Sequence, residues 1–290
     1  MVKKLEYVID AQNAGHKVRY LLRNYLGISA SLVRRLKLEE DGILLNGSPA
    51  RQNQVLKEGD KLTITVHDKN SEHIVPKNIP LSVLYEDEDI LVIDKPGNMP
   101  THPSQNHHDD TLANAVMYRY REENFTFRVI TRLDRETSGV VLIAKNALAA
   151  QRLSLDMQNG RIEKEYIAAV CGIPEKETGC IKAPIGRKSD SVILRCITPD
   201  GKAAETEYTV LEKKEGMSLL RITPKTGRTH QIRVHMQSMG TPIFGDGLYG
   251  EAREGERTRL HCRKICFTHP GCGKRMEIYA LLPQDIDCLF

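Results

Sequence analysis

At 290 residues, with 40% hydrophobic and 28% charged side chains, the chain is long enough for a small domain beside a larger one and has the balance of a soluble globular protein. No apolar run approaches the ~18 residues of a membrane span, no signal-peptide core opens the chain, and seven cysteines without framework spacing point to a reduced, cytoplasmic protein. Net charge is +4 and sits at one end: residues 1–67 hold 11 basic and 7 acidic side chains, and the remainder balances 31 against 31. A basic module on a neutral body suits a polyanion partner.

Residues 1–67 read as a small α+β unit. Val18, Leu21, Leu22, Tyr25 and Leu26 fall on one stripe of a helix that Gly27 stops. Ser29 or Ser31 can cap a second helix, with Leu32, Val33 and Leu36 on one side and Arg34, Arg35 and Lys37 on the other. Asp41-Gly42 turns into Ile43–Leu45, Asn46-Gly47 predicts a hairpin, and Leu62–Val66 alternates as a strand does. Two short helices followed by small strands, with a basic second helix, resemble the alpha-L RNA-binding domain of the ribosomal-protein-S-four type. That resemblance implies phosphate contacts from Arg19, Arg23, Arg34, Arg35, Lys37 and Arg51, which position RNA without reading its sequence. Residues 68–79 lose all periodicity and read as a linker.

From residue 80 onward a larger unit begins. Leu81–Tyr85 and Ile90–Ile93 predict a strand pair, and Asp110 is expected to cap a helix over 111–123. His102, His107 and His108 lack the spacing that presents ligands to one metal. The block Arg132 to Ser138 is a charged cluster between two apolar segments. An acid there, Asp134, is partly desolvated yet held ionised by arginines, or else it simply pairs with Arg132 or Arg135 in a turn. Val140–Ile143 then predicts a buried strand, and Ala147–Gln158 a helix ended by Asn159-Gly160. Tyr166 lies in an apolar strand, where its ring can fill the core. Strands are expected at Val192–Leu194, Glu207–Val210 and Ser218–Ile222. After the basic turn Pro224–Arg228, His230, Arg233 and Val234 recur on one helical face. Cys262, Cys266, His269 and Cys272 are too crowded for the common zinc spacings, so no metal is expected.

Arg-Leu-Asp-Arg-Glu-Thr-Ser-Gly at 132–139 resembles the motif that holds the single catalytic aspartate of the RluA/RluD-type RNA pseudouridine synthases. Asp89–Gly97 resembles the family's first motif, and Lys164-Glu165-Tyr166 the segment with its active-site tyrosine. Pro184–Arg187 and Gly201–Ala203 fit its middle region, and Thr226–His235 with Gly245-Asp246 its third motif. In this order the motifs cover about residues 80–283, with Thr131 where the family usually has His. The resemblance implies an α+β protein: a catalytic domain over 80–290 with a mostly antiparallel mixed sheet, beside the small N-terminal domain. It implies Asp134 as the catalytic carboxylate, with Arg233 paired to it. Arg132 would hold the flipped state, Tyr166 would stack on the base, Leu281 would line the pocket, and Arg228 would join the RNA contacts.

The implied reaction breaks the bond from ribose C1′ to uracil N1 and makes one to C5. Nothing is oxidised and no group is lost, so no cofactor is expected. The target base must leave its stack, at a cost of a few kcal/mol. Ribosomal RNA is the expected substrate, with transfer RNA second, and the protein is expected to be a monomer without membrane contact. Two other classes compete. A non-catalytic RNA-binding or ribosome-assembly factor gains nothing from a carboxylate facing phosphates. A metal-dependent RNA-cleaving enzyme needs partner carboxylates that a lone Asp134 lacks.

Overall fold

The first element is a strand that the hydropathy pattern hides. In the computed structural model, which describes residues 2–68, 71, 73–252 and 254–290, β1 (Val2–Val8) turns its inner face, Lys3, Leu5 and Tyr7, only partly away from solvent. α1 (Val18–Tyr20) runs on as a π-helical turn (Leu21–Tyr25), and α2 (Ala30–Leu36) starts where the Ser29 hydroxyl accepts the Leu32 N–H at 3.2 Å. Asn46 and Gly47, both at positive φ, join β2 (Ile43–Leu45) to β3 (Ser48–Pro49). β4 (Lys61–His67) completes an antiparallel sheet of order β1-β4-β2-β3. Leu62, Ile64 and Val66 close its core against Val18, Leu21, Leu22 and Leu36.

The larger sheet has ten strands. Along the chain come β5 (Ser82–Glu86), β6 (Ile90–Lys95), α3 (Leu112–Arg119), β7 (Arg128–Val129), β8 (Ser138–Ala144), α4 (Ala147–Gln158) and β9 (Glu163–Cys171). Then follow β10 (Thr178–Lys182), the small hairpin β11 (Ile185–Arg187) and β12 (Arg195–Ile197), β13 (Glu205–Lys214) and β14 (Met217–Pro224). α5 (Gln231–Ser238), β15 (Leu260–Thr268), β16 (Arg275–Tyr279) and α6 (Gln284–Asp287) finish the chain. The sheet runs β10-β13-β14-β9-β15-β8-β6-β5, with β16 on β15 and β7 on β8, and among the described residues only the β15–β8 pair is parallel. All seven residues of β8 are buried, as in a central strand covered on both faces. Gly139 makes the parallel contact feasible: at φ +109° a Cβ would stand 2.2 Å from the Cys262 carbonyl oxygen.

Two local expectations are corrected. The helix after residue 110 is α3, and Thr111 caps it in a capping box with Asn114; Asp110 instead binds the His107 ring at 2.6 Å. Val192–Leu194 is not a strand, because the Ser191 hydroxyl accepts the Ile193 and Leu194 N–H groups and the Arg195 guanidinium binds three carbonyls of that turn. The stretch 68–79 has no regular element, yet its described residues do not hang free. Asp68 holds Arg128 through two bonds of 2.9 and 2.8 Å, Ser71 bonds the backbone at Phe125 and Phe127, and Ile74 joins the large core. Residues 69, 70 and 72 of that stretch lie outside the described residues.

The two sheets are fastened to each other. Lys3 reaches Glu88 and Asp89 at 3.0 Å each, and Leu148 of α4 enters the core of the smaller unit. Gln151 brackets the turn before α2, donating to the Gly27 carbonyl at 2.5 Å and accepting the Ser29 N–H at 2.7 Å. Among the described residues no helix is long and apolar enough to cross a membrane.

Candidate active site

The segment 130–137 is an irregular stretch between β7 and β8, and four tethers shape it. Ile130 donates its N–H to the Leu142 carbonyl at 2.8 Å, and the buried Thr131 hydroxyl accepts the Leu142 N–H at 2.9 Å. The Thr101 hydroxyl donates to the Leu133 carbonyl at 2.9 Å. Lys95, fully buried at the end of β6, donates to the carbonyls of Pro96 and Met99 at 2.8 Å and of Arg135 at 3.2 Å. Burial pulls its ammonium down to about 7, and its hydrogen bonds go to carbonyls rather than to a carboxylate. Thr131 thus has a backbone task where a histidine is usual in the family it resembles.

So held, the loop presents Arg132 and Asp134 to a cavity of about 540 Å³. Met157 of α4, Lys164 and Tyr166 of β9, Pro224, Thr226 to Arg233, and His102 line much of the rest. The Asp134 side chain is 30% exposed, so it is open to the cavity without being bathed in solvent. Arg132 is exposed at the rim. Tyr166 is buried, and its phenol lies well above its ordinary range because of burial, with Cys262 and Asp134 adding to the effect, so it stays protonated. Lys164 is half-buried on the same strand face, its Nζ 5.9 Å from the Tyr166 ring centre, and burial lowers its pKa.

Arg233 has more than one acid within ion-pair reach. Its short bonds go to Asp246, from Nε at 2.7 Å and from Nη2 at 2.6 Å, while Asp134 stands 3.9 Å from Nη1 and Glu136 3.6 Å from Nη2. Burial works against its charge, but the Asp246 bonds and the surrounding carboxylates outweigh it and raise the pKa further. Asp246 is wholly buried and also accepts the Leu248 and Tyr249 N–H groups at 2.9 and 3.1 Å. Gly245 permits that turn: at φ +72° a Cβ would lie 2.4 Å from the Arg257 carbonyl oxygen. Asp246 falls in the third-motif resemblance without an assigned role, because only the closed chain brings it to Arg233; its place after a glycine in a turn is the local signal. Lys95, Glu136 and Lys164 also went unassigned, and a lysine ending the apolar run Ile90–Ile93 was the clue to the first.

Leu281 is not in this cavity. It is 82% exposed and borders a second one of about 660 Å³, with Asp94, Arg257 and Asp285, because Ala280 takes the inward place after β16. Arg228 does line the Asp134 cavity, and its Nε donates to the Ala203 carbonyl at 3.0 Å. Arg19, Arg23 and Arg34 gather around a cleft of about 460 Å³ on the smaller unit, with Tyr20 and Gln52. Arg23 also donates to the Ile28 carbonyl at 2.7 Å. Arg35 is half-buried with its Nη2 enclosed and unbonded, so it is not part of the exposed face; Lys37 and Arg51 are exposed away from the cleft lining. His269 has both ring nitrogens engaged, by Asp87 and by the N–H groups of Gly271 and Cys272.

A family profile described as RNA pseudouridylate synthase matches residues 89–238, which include the Asp134 loop, Tyr166 and Arg233. An uncharacterized RNA pseudouridine synthase, YjbO of Bacillus subtilis (strain 168), is 40% identical over 268 residues, covering 91% of this chain and 95% of the relative. A ribosomal large subunit pseudouridine synthase D of Pasteurella multocida is 35% identical over 244 residues, covering 78% and 75%. Among solved structures, human RNA pseudouridylate synthase domain containing 1 superposes with a TM-score of 0.62 at 28% identity, covering 73% of this chain and 88% of that one.

Proposed function

The chain belongs to the RNA pseudouridylate synthase family and isomerises uridine in RNA, and from that premise we propose that the substrate is ribosomal RNA and that Asp134 carries the reaction. The observation that supports this reading best is the contrast at Arg233: Asp246 takes its two short bonds, from Nε and Nη2, and Asp134 stands 3.9 Å from Nη1, open to the cavity. A uridine flipped into the cavity would set its ribose against Asp134 and its base against Tyr166. Attack on C1′ or removal of a sugar proton would fall to this carboxylate, which has the Arg233 guanidinium 3.9 Å away. Tyr166, held neutral, offers a stacking face; such a contact recovers roughly 1 to 3 kcal/mol per base against the cost of extrusion.

Arg132 at the rim fits a contact that stabilises the extruded state, and Arg228 fits a phosphate contact. In this reading residues 1–67 serve as an alpha-L-like RNA-binding domain, and Arg19, Arg23 and Arg34 form its phosphate cleft. Ribosomal RNA is favoured because relatives at 35% identity are named for the large ribosomal subunit. The protein would work in the cytoplasm as a monomer.

The test is tritium release from ribosomal RNA labelled at uracil C5, with EDTA present throughout. Release by the wild-type chain and none by Asp134→Asn is the expected result. Tight RNA binding without release, or strand scission that EDTA abolishes, would overturn the assignment.

A further inference from the structure

The connection between β11 and β12, residues 188–194, takes no part in the site described so far. Val192 and Ile193 in it are 77% and 62% exposed. That exposure is built into the backbone. Lys188 donates its N–H to the Leu194 carbonyl at 3.1 Å, and the Ser191 hydroxyl accepts the Ile193 and Leu194 N–H groups at 3.2 and 2.9 Å. Arg195 Nη1 donates to the carbonyls of Val192, Ile193 and Leu194 at 3.3, 3.1 and 3.1 Å. The polar backbone is thereby satisfied within the loop, and the two apolar side chains are held outward. Leu194 does the opposite and packs beside Ile185, Val234 and Tyr249.

The loop stands beside the Asp134 cavity. The Arg195 N–H donates to the Tyr249 hydroxyl at 2.9 Å, that hydroxyl meets His230 Nδ1 at 2.8 Å, and His230 lines the cavity. On the other side of the hairpin, Lys202 bridges to Ile185, and the next residue, Ala203, takes the hydrogen bond from Arg228, also a lining residue. Val192 is three residues from Arg195, so its Cα lies within about 10 Å of that anchor. Arg187 and Lys188 are exposed at the foot of the loop.

We propose that Val192 and Ile193 form an apolar wedge that enters the RNA helix next to the target uridine, unstacks the adjoining base step and holds the gap while the nucleotide is extruded. The proposal rests on the synthase reading and names the kind of RNA that the site accepts: a uridine flanked by paired, stacked bases. Apolar side chains inserted between base steps stabilise the opened form against the cost of unstacking. The exposed Arg187 and Lys188 at the foot of the loop supply positive charge for the phosphates of that helix. A surface for another protein, or for a second copy, would need neither those cations nor closeness to the catalytic acid.

The experiment uses the full chain and two RNAs. Pseudouridine mapping on a ribosomal RNA transcript treated with wild-type protein first locates the uridine. A stem-loop around that site, and the same segment with the flanking pairs mismatched, are then compared in single-turnover assays. The exposed positions Val192→Ser and Ile193→Ser, changed together, should leave the melting temperature unchanged. The expected result is a loss of roughly tenfold or more on the paired substrate, the size that a kcal/mol or two of lost unstacking energy implies, and a rate within about twofold of wild type on the mismatched one. 2-Aminopurine next to the uridine should brighten with wild-type protein and stay quenched with the variant. Equal rates on both RNAs, equal losses on both, or a wild-type dimer that the substitutions dissociate would each overturn the wedge. Failure of the wild-type chain to modify any ribosomal RNA would strike the substrate reading instead.

Discussion

Two aspartates address one guanidinium, and their surroundings differ in every respect that matters to chemistry. Asp246 is sealed, with both oxygens on Arg233 and one of them also taking two backbone N–H groups. Asp134 is 30% exposed, stands 3.9 Å from the same guanidinium and faces a cavity. A carboxylate meant to react has to keep a lone pair unspent. The sealed acid fixes the direction of Arg233, so the open acid feels its charge without being consumed in an ion pair. On the proposed reading, ion-pair distance alone would misassign the two: the closer acid supports and the looser one acts.

Exchange of the acids' roles should therefore fail in two different ways. Asp134→Asn should lower pseudouridine formation by roughly 10³-fold or more while leaving the melting temperature within a degree or two, since the residue carries no short structural bond. A large loss of stability would place Asp134 with the supporting acids and erase the contrast. Asp246→Asn should do the reverse first: it leaves the buried Arg233 charge unpaired, and breaking such a pair costs about 3–5 kcal/mol. Urea unfolding measures that loss, and a midpoint equal to wild type would show that Asp134 can take over the guanidinium.

The sealed side of the loop extends to the pair Ser138–His261, bonded at 2.9 Å, and there the contrast becomes a pH effect. Burial, with Arg257 and Arg263 adding to it, lowers His261 to about 4, so the folded protein holds it neutral. The unfolded chain takes up that proton near pH 6.5 and the folded one only near 4. Stability should fall as pH drops across that window, by up to about 3 kcal/mol, and the slope should be missing in His261→Gln. Melting temperatures between pH 7 and 4 read it; an unchanged slope in the variant would clear His261 of the effect.

What was legible in the sequence follows the same division. The Arg132–Ser138 block, the strand Val140–Ile143, the helix at 147–158 and the Asn46-Gly47 turn depend on neighbours in the chain, and local pattern exposes them. Thr131, Lys95 and Asp246 act across the fold, on Leu142, on three carbonyls and on Arg233, so nothing next to them declares the task. β1 was missed because Lys3 stands on its inner face, where it meets Glu88 and Asp89 of the other unit instead of a hydrophobic core. Val192–Leu194 looked like a strand for the opposite reason: its apolar residues face water because Ser191 and Arg195 have captured the backbone.

The smallest expected effect sharpens the comparison at the scale of the whole chain. Arg19, Arg23 and Arg34 surround a cleft on the smaller unit, and none of them lines the Asp134 cavity. If that cleft tracks the RNA backbone, each arginine neutralises one phosphate and releases its counterions on binding. Replacing all three by alanine should then flatten the dependence of log affinity on log salt by about 2, at roughly 0.7 per phosphate for single-stranded RNA. The rate on bound substrate should stay near wild type, because positioning contacts carry no share of the bond exchange. Arg35, half-buried with an enclosed Nη2, serves as the internal control: its substitution should lower the melting temperature and leave the salt slope alone. An unchanged slope in the triple variant, or a rate that falls as far as the affinity does, would mean that the smaller unit helps to build the catalytic cavity and does not work as a separate handle on RNA.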